Sequence, residues 1–396
     1  MTTSALPQAA ITALRRPPKA RQASCTDLPP RTGDTDETID CVRTRLSTVS
    51  PVTSPDALSP LPPRAARLIG LGSWLPPRQV TNTELCSRLD TSAEWIQTRI
   101  GITTRHIADP ATATSDMAAE AGLRAMKSAG VEHVDVLVLA TTTPDHPVPS
   151  TAPAVAHRLG LHQVPAFDVA AGCSGFVYAT SVAAALIQAG TAHTVLVVGA
   201  ETMSAIIDPA DRSTAPIFGD GAGAVVLEAG RAGDPGTLGP VAWGSDGEHA
   251  SAIYVPEGGS RRFPSHLMGD EAGRYVHMRG NVVLRQAVRH MSQVARDAAA
   301  AAGWTVQDID RLIVHQANAR ISAAVADALG IPPEGVPSNI ARVGNTSAAS
   351  IPLLLAHATA NGQLTAGQRV LMAAFGAGFT WAATTLVWPA GLQALT

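Results

Sequence analysis

Lysine is nearly absent: it occurs only at Lys19 and Lys127, so almost all of the 29 basic residues are arginines. Against 32 acidic residues they leave a net charge of −3, which gives no global argument for nucleic acid or an anionic membrane as partner. Any cationic docking site must therefore be local and built from arginine. Cysteine is also scarce, confined to Cys25, Cys41, Cys86 and Cys173. Their spacing fits neither a metal site nor a dense disulfide framework, so a reduced cytoplasmic chain without metal is the economical reading. No apolar run approaches the roughly 18 residues that a membrane-spanning helix needs. Nor does a secretory h-region follow the N-terminal charges.

What is present is the composition of a globular chain: 396 residues, 45% hydrophobic, 15% charged, with 34 Gly and 29 Pro. Residues 1–65 stand apart. Pro, Thr, Ser and Arg dominate there, apolar periodicity is missing, and proline recurs every few residues from Pro51 to Pro63. Such a segment buries too little apolar surface to offset its ordering entropy, and a disordered extension is expected.

From about residue 66 a regular pattern begins and runs twice, over 66–235 and 236–396. In the first pass, strands are expected at 66–73, 134–141, 165–171, 193–200 and 222–228. Helices are expected near 114–129, 152–159 and 176–189. The second pass has strands at 240–245, 309–315, 337–343, 368–375 and 379–387, with helices near 281–302, 319–329 and after Thr346. Strands alternating with helices imply right-handed crossovers and a mostly parallel, helix-covered sheet. Two such duplicated halves imply a layered α/β/α/β/α body.

Cys173 falls at a strand-to-helix junction, in Asp168-Val-Ala-Ala-Gly-Cys-Ser-Gly-Phe176. Unpaired N–H groups and the macrodipole at a helix start favour a thiolate, so a lowered thiol pKa is expected. The bland alternative is a small buried hydrophobe. Asn345 lies at the equivalent junction of the second half, and His315 ends a second-half strand. If the halves pack about a pseudo-twofold axis, the strand C-termini bring these three residues together, where ligands bind in open α/β sheets. A Cys with distant His and Asn is a candidate nucleophilic constellation. Gly172-Cys-Ser-Gly175 is not a nucleophile elbow, and the glycines of Gly219-Asp-Gly-Ala-Gly223 lead into a strand, unlike a dinucleotide fingerprint.

Six stretches carry a specific resemblance. They are Thr91–His106, the Cys173 segment, Ile217-Phe-Gly-Asp-Gly-Ala-Gly-Ala224, His315-Gln-Ala-Asn318, Gly344-Asn-Thr-Ser-Ala-Ala-Ser-Ile-Pro352 and Phe375-Gly-Ala-Gly-Phe-Thr-Trp381. In type, order and spacing they resemble the β-ketoacyl-acyl-carrier-protein synthase III family of the thiolase fold, over about residues 66–389. The resemblance implies condensation of an acyl-CoA starter with malonyl-acyl carrier protein, with loss of CO₂. It implies that Cys173 carries the acyl group, and that the Cys173 and Ala377 amides form the oxyanion hole. His315 and Asn345 would stabilise the malonyl-derived enolate. It further implies CoA contacts at Trp95, Arg99, Arg212 and Asn318, carrier-protein docking at Arg285 and Arg320, a homodimer, and no cofactor.

Three positions depart from the family pattern. Ala377 replaces a frequent Gly, Asp327-Ala328 stand where a basic pair is common, and Val148 replaces a frequent Phe lent across the dimer to the acyl pocket. Two other readings stay open: acyl transfer to a hydroxyl or amine of a natural product, and a silent partner of an active synthase.

Overall fold

The structure is a computed structural model that describes residues 64–261 and 272–396. The expected N-terminal extension lies outside the described residues except for its last two, which open the first strand. The first half runs β1 (Arg64–Trp74), β2 (Gln79–Thr81), α1 (Asn82–Cys86), α2 (Ala93–Ile100), β3 (Thr104–His106), α3 (Thr114–Ala129) and β4 (Val136–Ala140). It continues with α4 (Ala152–Arg158), β5 (Ala166–Val169), α5 (Gly175–Gln188), β6 (Thr194–Glu201) and β7 (Gly221–Arg231). The second half begins β8 (Ala242–Ser245), β9 (Ile253–Tyr254), β10 (His277–Met278), α6 (Gly280–Ala301), β11 (Arg311–Val314) and α7 (Ala319–Leu329). It ends α8 (Ile340–Val343), α9 (Ser350–Ala360), β12 (Arg369–Gly376), β13 (Thr380–Val387) and β14 (Ala394–Leu395).

Two sheets organise these elements. One has the order β14-β1-β7-β6-β4-β5, and the other β11-β12-β13-β8. β4 pairs in parallel with both β5 and β6, and β11 in parallel with β12, as the crossovers require. β7 and β13 are antiparallel to their neighbours.

Between the sheets lie α5 and α9. Phe176, Val177, Leu354 and Leu355 share one buried cluster with Val138 and Val197 of the first sheet and Met372 of the second. A helix covered on both faces has no polar stripe, and the sequences GFVYATSVAAALIQ and SIPLLLAHATA have almost none. The outer faces are covered differently. α3 and α4 pack on the first sheet, and α6 and α7 on the second. Both outer pairs are amphipathic: Met117, Ala118, Ala121 and Ala125 of α3 are buried, while Glu120 and Lys127 are not. The result is the five-layer α/β/α/β/α arrangement, with one apolar core shared by both halves.

One expected strand is not formed. Residues 337–343 contain the short helix α8 and join neither main sheet. The cause is the buried side chain of Gln316. Its Nε2 donates to the Pro337 carbonyl at 3.3 Å, and its Oε1 accepts from the Asn339 amide at 3.2 Å. Those are the backbone groups that a neighbouring strand would have paired, so a side chain replaces the ladder here.

Candidate active site

β5 ends at Val169, and the chain turns through Gly172–Ser174 into α5, carrying Cys173 in the turn. The matching segment of the second half turns through Ser347–Ala349 into α9, with Asn345 just before it. The two turns pack against each other. Asn345 is pinned by its own backbone, which donates to the Ile217 carbonyl at 2.9 Å and accepts from the Gly219 amide at 3.0 Å. His315 follows the last residue of β11, and its amide donates to Ala373 of β12 at 2.9 Å. Cys173, His315 and Asn345 all line one cavity of about 410 Å³. Strand ends from both halves thus converge on one site.

The electrostatics differ from the expectation for the thiol. Burial pushes Cys173 up to about 12, and the Glu201 carboxylate adds to that rise. Hydrogen bonds with Ser347 and with its own amide pull the other way but do not win. The helix start alone therefore does not make a standing thiolate: desolvation of the charge outweighs it. Burial likewise drives His315 down to about 3, so the imidazole is neutral at physiological pH. The His315 side chain is 2% exposed, and neither ring nitrogen has a hydrogen-bond partner among the described residues. A neutral, buried imidazole without a partner on a cavity wall is an exception to the rule that buried polar groups are hydrogen-bonded. Asn345 Oδ1 accepts from the Ser347 amide at 2.8 Å, which leaves its NH₂ group to donate elsewhere.

The end of β12 closes one wall. A Cβ added at Gly376 would lie 2.6 Å from the Cys173 nitrogen, and one at Gly172 would lie 2.6 Å from the Ala377 nitrogen. Only glycine at both places allows the two chains to approach so closely. The backbones around Cys173 and Ala377 are thereby held close to each other.

Toward the surface, Trp95 is 40% exposed and faces Arg212, whose Cζ lies 5.9 Å from the ring centroid. Arg212 also reaches Asp90 at 3.7 Å, an exposed and therefore weak pair. Trp95, Arg99, Asn318 and Arg320 line the cavity. Asn318 caps α7, its Oδ1 accepting from the Ile321 amide at 3.0 Å, so its amide nitrogen is the part available to a ligand. Arg285 stands exposed on α6 between Leu284 and Ala287, which line the cavity, and does not itself line it. Val148 is 85% exposed and far from contributing to the cavity of its own chain.

Known proteins share this layout. Models described as 3-oxoacyl-[acyl-carrier-protein] synthase III, and its C-terminal part, match residues 167–247 and 299–388. The chain is 54% identical over 329 residues to beta-ketoacyl-[acyl-carrier-protein] synthase III 3 of Streptomyces coelicolor, covering 83% of this chain and 98% of that protein. It is 48% identical over 327 residues to the synthase III of Pseudomonas aeruginosa, with 83% and 98% covered. The chain belongs to the β-ketoacyl-acyl-carrier-protein synthase III family. Among solved structures, a synthase III from Pseudomonas aeruginosa superposes with a TM-score of 0.77 at 46% identity, covering 82% of this chain and 98% of that one. The priming beta-ketosynthase of the R1128 polyketide pathway gives 0.77 at 38% identity, with 83% and 98% covered. The thiolase-like fold expected for a synthase III is the fold observed.

Sequence reasoning passed over several residues of this synthase III site. Phe218 and Phe375 sat inside quoted motifs without a role, although both line the cavity. Ile253 and Met278 line it from a stretch with no clear periodicity, so nothing marked them. Glu201 and Ser347, which influence the Cys173 thiol without lining the cavity, were also missed; a charged residue closing the apolar run Thr194–Glu201 was the available signal.

Proposed function

We propose that this enzyme starts fatty-acid or polyketide chains by joining an acyl group from acyl-CoA to malonyl-acyl carrier protein, with loss of CO₂. The observation that carries the reading is the convergence of Cys173 with a neutral, unpartnered His315 and the free NH₂ of Asn345 on one cavity. Cys173 attacks the acyl thioester and keeps the acyl group, while CoA leaves. The Cys173 and Ala377 amides hold the oxyanion of that step. The malonyl thioester oxygen then accepts from a His315 ring N–H and from Asn345 Nδ2–H, which stabilise the enolate as CO₂ departs. A carboxylate in either place would repel that charge. The enolate carbon attacks the acyl-Cys173 carbonyl, and the thiolate leaves. Bond formation is driven by decarboxylation, so the chemistry calls on neither metal nor cofactor.

In this reading the adenine of CoA stacks between Trp95 and Arg212. The two must part to admit a base, and the weak Arg212 contact with exposed Asp90 lets Arg212 move. Arg99 meets the phosphates and Asn318 the pantetheine arm, while Arg285 and Arg320 offer cations to an acidic carrier protein. Val148 is presented to a second copy in a homodimer. A cytoplasmic location belongs to the same proposal; no described helix is long and apolar enough to cross a membrane. Acyl transfer to a hydroxyl or amine would leave His315 and Asn345 with no enolate to stabilise. The test supplies acyl-CoA with malonyl-acyl carrier protein and measures CO₂ and β-ketoacyl product. Both should appear, and the β-ketoacyl product should vanish in Cys173→Ala; product formation by that variant sinks the reading.

A further inference from the structure

Asn345 is pinned through its backbone, which leaves the direction of its side-chain amide to be fixed by other groups. The atom that faces the Ser347 amide at 2.8 Å must be Oδ1, because an N–H only donates. That contact needs the Ser347 backbone as it stands, at a left-handed φ of 48° that residues other than glycine rarely adopt. A turn in such a conformation persists only when its surroundings hold it there.

Glu201, which ends β6 and is fully buried, does the holding. Its Oε1 accepts from Ser347 Oγ at 2.9 Å and from the Ala348 amide at 3.3 Å. Its Oε2 accepts from the Thr142 amide at 3.0 Å and from Thr143 Oγ1 at 2.9 Å, in the segment that follows β4. One oxygen thus grips the turn of the second half, while the other is anchored in the first. Each oxygen meets an amide N–H, which can only donate, so both oxygens have to be acceptors. Strand alternation puts Gly199 on the same face of β6, and a Cβ added there would lie 2.5 Å from the Ala348 carbonyl oxygen. Glycine at that position lets the turn rest on the strand, within reach of the carboxylate.

We propose that Glu201 is a positioning residue for Asn345. By holding Ser347 and Ala348 it keeps the Ser347 amide on Oδ1, and so reserves the Asn345 NH₂ for the cavity that Asn345 lines. Released from Glu201, the turn relaxes toward an ordinary φ, the Ser347 amide leaves Oδ1, and the side-chain amide is free to turn. An oxygen presented in place of the NH₂ would repel a developing enolate instead of stabilising it. Glu201 acts at a distance, since it does not itself line the cavity. The kinetic half of the inference rests on the proposed role of Asn345 as a donor to the malonyl thioester oxygen. The structural half, that Glu201 sets the direction of the amide, stands apart from that role.

Two readouts test it, one of them without turnover. Hydrogen exchange at the residue-347 amide is resolved by mass spectrometry with electron-transfer fragmentation. It should be slow in the wild type and at least about tenfold faster in Glu201→Ala. In single-turnover assays that variant should load Cys173 from acyl-CoA at no less than about a third of the wild-type rate. Its release of CO₂ from malonyl-acyl carrier protein should fall at least about tenfold. In an Asn345→Ala background, Glu201→Ala should cost less than about twofold more, since the group it positions is gone. Ser347→Ala breaks only the 2.9 Å bond to Glu201 and should show the same pattern, so it carries the test if Glu201→Ala does not fold. Exchange as slow in the variants as in the wild type overturns the proposal. So does equal loss of loading and CO₂ release, or a cost that persists in full without Asn345, because Glu201 would then support the fold in general. Faster exchange in a variant of an enzyme that releases no CO₂ keeps the positioning and removes the proposed function; CO₂ release with unchanged exchange does the reverse.

Discussion

At the residue scale the account turns on a buried neutral histidine. Truncating His315 to alanine should leave acylation of Cys173 intact and cut decarboxylation by about 10²–10³, the usual cost of losing one donor to a developing oxyanion. Equal loss of both half-reactions would contradict its assigned role. The same burial has a stability consequence with a definite sign. The folded-state pKa of His315 is lowered from 6.5 to about 3, so the unfolded chain binds the proton first as pH falls. Its contribution is therefore present in full above about pH 6.5 and is lost progressively toward about pH 3, on the order of 1 kcal/mol per pH unit. Melting temperature measured across that window should fall less steeply in His315→Gln than in the wild type. That Cys173, His315 and Asn345 would meet was legible from their junctions in two duplicated halves, while the chemistry expected of them came from the six-stretch resemblance. The thiol's raised pKa was not legible, because desolvation depends on what both halves pack around it. Glu201 and Ser347 were hidden for a related reason: their hydrogen bond joins a strand end to a turn 146 residues away, and only the packing of the two halves brings them together.

At the scale of elements, one residue performs two tasks that a pair of substitutions separates. Asn318 caps α7 through Oδ1 and offers its NH₂ to the cavity. Asn318→Asp keeps the cap and loses the donor, so KM for acyl-CoA should rise with Tm unchanged. Asn318→Ala should lose both, at about 0.5–2 kcal/mol of stability. The close approach at Gly376 gives a sharper case: Gly376→Ala places a methyl group 2.6 Å from the Cys173 nitrogen and should abolish acylation by displacing the oxyanion donors. Most helices and strands were readable from apolar period and punctuation, and 319–329 was read with the bounds that α7 has. The strand expected at 337–343 was misread because its apolar residues carry no sign that Gln316 occupies the backbone groups of Pro337 and Asn339. A side chain from another segment overrode the local pattern.

At the scale of the whole molecule, β5 is an edge strand, paired among the described residues on one side only, with β4, and Phe167 on it is 36% exposed. An uncovered edge of that kind favours pairing with a second chain, in line with the proposed homodimer. Light scattering should give twice the 40.8 kDa of the chain. With Val148 presented to the second copy, Val148→Phe should shorten the longest acyl chain that loads Cys173; no change in chain-length range would remove Val148 from the acyl pocket. The five layers bring residues from both halves to one cavity with Cys173, and the most direct measurement is the mass of that cysteine through one cycle. Intact protein incubated with an acyl-CoA alone should gain one acyl group, mapped to Cys173, and lose it when malonyl-acyl carrier protein is added, with CO₂ released. No adduct, an adduct elsewhere, or one that malonyl-acyl carrier protein fails to discharge would contradict the account.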